Sequence, residues 1–288
     1  MNLLRSSFFL LLLLQSVVLN ADEIEKVSLR PATDMQRADL FAWKPSQQPK
    51  AVLVLCPGCN GSGEGLIRQR VWQEFAKKHR LGLMGLSFAS DVSLLTSGRG
   101  YYYASQGSGG LLLDGIRKIY GRETPLLLYG FSGGAHFTSR FVEWKPEQVI
   151  AWCAYSAGWW SPPSRDRDEP KQAKKNPPGI VACGDYDERY GASLIYFKQG
   201  RALGKPWLWI SLPKIGHSVP QQLEEFVREY FTEILKFNGP LNPKKDGIWL
   251  DIDQKTEAEP DTVIQMPSVT AWLPDKKLLH GWTNIHEP

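Results

Sequence analysis

The 288 residues carry 34 Lys and Arg against 30 Asp and Glu, with 42% apolar residues and 11 Trp. A net charge of +4 is too weak to argue for nucleic acid, and the apolar share suits a chain that buries a real core. Four cysteines are too few for a disulfide scaffold, and the length fits one large α/β domain.

Residues 1–21 read as a secretory signal peptide. Arg5 gives a basic start, Phe8 to Leu14 is an unbroken apolar run, and the polar pair Asp22 and Glu23 follows Ala21, where cleavage is expected. The run is broken by Gln15 and Ser16 and is short for a span, so no stable membrane insertion is expected after cleavage. The mature chain would be secreted or periplasmic. Without Arg5 it holds 33 basic groups against 30 acidic ones, a net of +3.

Residues 26–29 and 37–43 suit an antiparallel pair at a sheet edge. From residue 51 to 237 strands and helices alternate. Residues 51–56 form a short apolar run ending in Pro57 and Gly58, as a buried parallel strand does. Residues 67–80 predict a helix with Ile67, Val71, Trp72, Phe75 and Ala76 on one face. Strands are expected at 81–88, 125–129, 149–155, 179–183 and 206–212. Helices are expected at 111–120, 134–144 and 221–237, the last with Leu223, Phe226, Val227, Tyr230, Phe231 and Ile234 on its apolar side. This order predicts a mostly parallel sheet with helices on both faces.

Two stretches break the rhythm. Residues 98–110 are rich in Gly, Tyr and Ser, and residues 159–178 in Pro and charge, so both are loop or lid candidates. The tail, 239–288, is proline-rich and lacks helical periodicity, yet holds Trp249, Ile252, Trp272, Leu273 and Trp282. So many large apolar residues argue for packing on the 22–238 domain, as a short hairpin, rather than for disorder.

The chemistry centres on Gly130-Phe131-Ser132-Gly133-Gly134, a G-x-S-x-G pattern between a predicted strand and a predicted helix. A turn this tight strains the serine backbone and leaves no room for side chains at Gly130 and Gly134. The Ser132 hydroxyl would then stand at the sheet's C-terminal edge, beside a helix start that favours negative charge. Without its context the same pattern is an ordinary glycine-rich turn.

His217, between the last strand and the last helix, is the candidate base. His79, His136, His280 and His286 suit helix-face, packing or surface roles instead. The acid should fall between serine and histidine in the chain, and Cys183-Gly184-Asp185-Tyr186-Asp187 supplies two: Asp187 as first choice, Asp185 as the reserve. It would hold the imidazole tautomer and stabilise the imidazolium. The oxyanion hole should combine the N–H of Gly133 with that of Cys59, in the turn after the first buried strand. Asn60 is a candidate brace for that turn. Cys56 and Cys59 also spell C-x-x-C, but no helix start follows, so a redox pair is the weaker reading. Tyr101, Tyr102, Tyr103, Trp159 and Trp160 either line a substrate pocket or pack in the core. No metal-ligand cluster or phosphate-cradling motif is visible, and no cofactor is expected.

Segments 54–63, 129–135 and 184–187, with Gly216 and His217, resemble the α/β-hydrolase family. They are most similar to its exported esterase branch of polyhydroxybutyrate depolymerase-like and feruloyl-esterase-like proteins. The resemblance covers about residues 50–237. It implies an eight-stranded, mostly parallel sheet and a Ser132–His217–Asp187 triad. The turn after the first buried strand carries Cys-Pro-Gly where many relatives have His-Gly. The expected activity is hydrolysis of a small or polymeric carboxylic ester through an acyl-enzyme. The rivals are an exported peptidase acting on short peptides and a non-catalytic binding protein on the same frame.

Overall fold

In a computed structural model, which describes residues 24–158 and 170–287, a central strand with all six residues buried, β3 (Ala51–Cys56), organises an eight-stranded sheet. Its other members are β1 (Ile24–Ser28), β2 (Arg37–Trp43), β4 (Leu81–Ala89), β5 (Leu126–Phe131), β6 (Val149–Tyr155), β7 (Gly179–Gly184) and β8 (Trp207–Leu212). The spatial order is β1-β2-β4-β3-β5-β6-β7-β8. Strand β2 runs antiparallel to both its neighbours, and the six strands from β4 to β8 are mutually parallel. Strands covered on both faces need apolar residues at every position, which is why β3, β4 and β7 read as continuous runs. The expected signal peptide, Trp159 and Trp160 lie outside the described residues.

The helices are α1 (Glu64–Ile67), α2 (Arg70–His79), α3 (Val92–Thr96), α4 (Ser108–Tyr120), α5 (Gly133–Trp144), α6 (Tyr190–Ala202), α7 (Gln221–Ile234), α8 (Pro260–Gln265) and α9 (Leu279–Ile285). Helix α7 buries all six residues expected on its apolar side. The single helix expected over 67–80 is instead two, α1 and α2, joined through Gln69 in extended conformation. Ile67 and Trp72 are both fully buried, yet five residues of continuous helix would set them about 140° apart. The break re-aims the chain so that both reach the core, and Val71 is left 45% exposed rather than on the apolar face.

The stretch 98–110 is not an open lid. It forms a 3₁₀ turn over Ala104–Gln106 and the first turn of α4, and Tyr101, Tyr102 and Tyr103 are all buried. Three large rings gain more from packing than the small polar residues around them gain from exposure. The tail forms a second, antiparallel sheet in the order β10-β9-β11, from β9 (Ile248–Asp251), β10 (Thr256–Glu257) and β11 (Thr270–Leu273). Trp282 of α9 is fully buried and donates its indole N–H to Trp209 O of β8 at 2.8 Å. Buried Arg201 of α6 donates to Thr270 O at 2.9 Å and lies 4.2 Å over the Trp249 ring. Among the described residues no helix is long and apolar enough to cross a membrane.

Candidate active site

Strand β5 turns directly into α5 at Ser132, whose backbone sits at φ 52°, ψ −115°, a conformation unusual for a residue with a side chain. The flanking glycines make this possible. A Cβ on Gly134 would lie 2.1 Å from Cys56 O, and one on Gly130 would lie 2.4 Å from Gly134 O. The turn therefore presses β5, α5 and the end of β3 together and lifts the Ser132 hydroxyl to the sheet's C-terminal edge.

Two loops at the same edge meet that hydroxyl. The loop between β8 and α7 carries His217, whose Nε2 is 2.9 Å from Ser132 Oγ. The turn after β7 carries Asp187, whose Oδ2 is 2.7 Å from His217 Nδ1. The loops are tied to each other by Tyr186 N donating to Ile215 O at 3.0 Å. Of the two acids offered by the sequence, the structure brings Asp187 to His217. Asp185 instead accepts from Lys214 N at 2.6 Å and braces the histidine loop.

The Asp187 side chain is fully buried while that of His217 remains 34% exposed, so the histidine is reachable from outside. Burial pushes the Asp187 carboxyl up. Hydrogen bonds from His217, from the backbone and side chain of Arg189, and from Ser156 outweigh it and hold the group below its ordinary value. The acid is thus fixed in its charged form, which a histidine partner requires.

Gly133 is the first residue of α5, so its N–H is one of the donors a helix start leaves without an intrahelical acceptor. A Cβ at Gly133 would stand 2.7 Å from Cys59 N, which puts the two expected oxyanion donors side by side. The Cys59 loop is strongly held. Asn60, at φ 55°, donates to Ser90 O at 2.9 Å and accepts from Ser90 N at 3.1 Å. Arg37 donates to both Asn60 O and Gly61 O. Tyr101 accepts from Asn60 N at 3.1 Å, and Tyr102 hydrogen-bonds the Cys59 side chain. At 2% and 8% exposure these two tyrosines stand behind the loop rather than on an open pocket wall.

The remaining histidines lie elsewhere. His136 is buried against the Tyr102 ring at 4.8 Å with Nδ1 2.9 Å from Arg140 Nη1, and burial and the nearby guanidinium charges of Arg140 and Arg189 keep it neutral. His79 meets Thr232, His280 meets Asn284, and burial together with the Lys255 charge pushes His286 down to about 4. All four cysteines are free, only Cys59 being exposed, so Cys56 and Cys59 are not bridged. Among the described residues no cluster of three or more His, Cys, Asp or Glu is placed to hold a metal ion.

Three residues at the site escaped the sequence reading. Phe131, the variable residue before Ser132, packs its ring 4.9 Å from the His217 ring. Arg189 and Ser156 support Asp187. Only Phe131 carried a signal, by adjacency to the serine.

A sheet in this order, one antiparallel strand near its edge, helices on both faces and a strained serine at a strand-to-helix turn define the α/β-hydrolase fold. A poly(3-hydroxybutyrate) depolymerase from Bordetella parapertussis shares it at 17% identity, with 77% of this chain and 92% of that one covered and a TM-score of 0.52. An S-formylglutathione hydrolase from Staphylococcus aureus aligns at 15% identity over 74% of this chain and 100% of that one, with a TM-score of 0.56. A ferulic acid esterase aligns at 14% identity over 74% and 96%, with a TM-score of 0.54. At these identities the likeness is one of fold. No family profile and no curated protein matches the sequence itself.

Proposed function

We propose that this chain is an exported serine hydrolase that cleaves a small or polymeric carboxylic ester through Ser132, His217 and Asp187. The observation that carries this reading is the unbroken hydrogen-bond chain from Ser132 Oγ to His217 Nε2 at 2.9 Å and from His217 Nδ1 to Asp187 Oδ2 at 2.7 Å. His217 takes the proton of Ser132 as the oxygen attacks the ester carbonyl. The N–H groups of Gly133 and Cys59 hold the oxyanion, each donor contributing roughly 2.7–4 kcal/mol of transition-state stabilisation. His217 then protonates the leaving alcohol, and the acyl group stays on Ser132. Water, deprotonated by His217, attacks the acyl-enzyme and releases the acid and the serine.

Esterases and a depolymerase among the similar folds support an ester over a peptide bond. The formed hydrogen-bond chain weighs against a non-catalytic binding protein. Residues 1–21 direct export and are cut after Ala21, 22–238 form the hydrolase domain, and 239–288 are an extension of it. Sequencing the N-terminus of the exported protein checks the cleavage; an N-terminus at Met1 excludes it.

Labelling with a fluorophosphonate tests the chemistry. The folded parent should label, and Ser132→Ala and His217→Ala should not. A folded parent that does not label overturns the proposal.

A further inference from the structure

A cavity of about 1610 Å³ lies on the opposite edge of the sheet from Ser132. It runs under the N-terminal ends of the strands, from Arg80 before β4 and Lys50 before β3 to Pro178 before β7 and Pro206 before β8, and the tail closes its far side. Its volume exceeds the roughly 300–1,000 Å³ of an ordinary small-molecule pocket.

The lining has two characters. Ile150, Phe237, Trp249 and Ile264 provide an apolar surface, with Ile264 left 77% exposed. Lys50, Arg80, Lys174, Lys175 and Lys244 stand around it, against one acidic lining residue, Glu257. Among the described residues none of these five cations lies in ion-pair distance of a carboxylate, although Lys175 donates to Glu147 O at 3.1 Å. Of these cations Lys50 also acts on His79, whose imidazole is held below its ordinary range by burial first and then by the charges of Lys78, Lys50 and Lys236.

The charges are spread rather than gathered. Lys50 and Arg80 are joined at one end, Lys50 N donating to Arg80 O at 3.2 Å. Lys174 and Lys175 precede β7, four strand positions from β4, and at about 4.8 Å per position this is about 19 Å away. One anionic headgroup cannot answer cations so far apart. An extended peptide advances about 3.3 Å per residue, so about six residues span them, with alternate side chains facing the apolar floor and the charged rim.

We propose that this groove is a docking site for an extended acidic peptide segment whose acidic residues alternate with apolar ones. The site is separate from the hydrolase centre: Ser132, Asp187 and His217 stand at the C-terminal ends of the same parallel strands.

The test is fluorescence anisotropy of the full chain with a labelled short peptide of alternating Glu and Leu. A peptide of alternating Lys and Leu, and vesicles with and without anionic phosphatidylglycerol, serve as comparisons. Saturable binding of the Glu-Leu peptide is expected, weakened by added salt and by about tenfold in each of two double variants, Lys50→Glu with Arg80→Glu and Lys174→Glu with Lys175→Glu. Ile264→Asp should weaken it as well. All five positions are exposed, so circular dichroism and Tm of the variants should match the parent. Ser132→Ala should bind as the parent does, which keeps this test independent of the hydrolase reading. Equal binding of the Lys-Leu peptide, insensitivity to both charge reversals, or binding of anionic vesicles without binding of the Glu-Leu peptide overturns the proposal.

Discussion

Arg189 donates twice to one oxygen of Asp187: its backbone N–H reaches Oδ1 at 3.1 Å and its guanidinium Nη1 reaches the same atom at 3.0 Å. The other oxygen, Oδ2, meets His217 Nδ1 at 2.7 Å. The carboxylate is therefore held from one side so that its second oxygen can face the imidazole. Arg189→Met keeps the backbone donor and removes the charged one. A hydrogen bond to a charged group contributes roughly 1.5–3 kcal/mol, and the side chain here is partly exposed, so a loss of roughly tenfold in kcat is expected. The sign of the pH effect follows from the depressed Asp187 group. Its contribution to stability is present above the ordinary carboxylate value of about 3.9 and is lost as pH falls through the lower folded value. Removing Arg189 raises that folded value, so the pH-dependent loss of stability below about 3.9, read as the urea midpoint against pH, should be smaller and finish at higher pH. Arg189→Lys should restore part of the shift. An unchanged dependence of stability on acid pH in Arg189→Met counts against this role.

Gly133→Ala tests the oxyanion pair. Its methyl would stand 2.6 Å from Cys59 Cα and 2.7 Å from the Tyr102 hydroxyl, so the Cys59 loop must move away. The fluorophosphonate labelling rate should fall by roughly 10²–10³, the loss typical of one missing oxyanion donor, with little change in far-UV circular dichroism. Labelling at the parent rate would remove Cys59 from the proposed hole.

The Asn60 clamp separates backbone strain from side-chain bracing. Asn60→Ala loses both bonds to Ser90 and places a Cβ-bearing residue without local hydrogen bonds at φ 55°. A loss of about 2 kcal/mol in urea unfolding is expected, with slower turnover. Asn60→Gly should recover part of the stability, because glycine tolerates that φ, but not the turnover, because the brace is still missing.

The tail should be structural for the domain as a whole. Trp282→Ala empties a fully buried site and removes the bond to Trp209 O. Unfolding in urea should show a loss of roughly 3–5 kcal/mol. A loss near zero would mean the extension is dispensable for folding.

Among the cysteines, Cys59 alone should react with iodoacetamide in the folded protein. Cys56 is buried and its thiol pushed up to about 12, and Cys153 and Cys183 are buried as well. Mass spectrometry of the alkylated native chain should find one modification, lost in Cys59→Ala.

Much of the architecture was legible because local signals agreed with each other. Six-residue apolar runs such as Ala51–Cys56 leave few options but a covered parallel strand, and the 3.6-residue spacing of Leu223 to Ile234 defines one buried helix face. Spacing misled where two buried residues did not share a face, as Ile67 and Trp72 did not. The glycine-rich composition of 98–110 suggested exposure, yet three tyrosines carry it into the core.

By itself the sequence determined the order of the eight sheet strands, the serine turn and the histidine loop, because each rests on residues close in the chain, whereas helices α3 and α6 were not read from it. The tertiary structure decided which aspartate meets His217, since Asp185 and Asp187 differ only in how the turn after β7 packs against the loop of Ile215. It also decided that Arg189 and Ser156 support that carboxylate, that Tyr101 and Tyr102 stand behind Cys59, and that the tail closes a cationic groove under the sheet. These relationships join residues far apart in sequence, and only the packing of the strands fixes the distances between them.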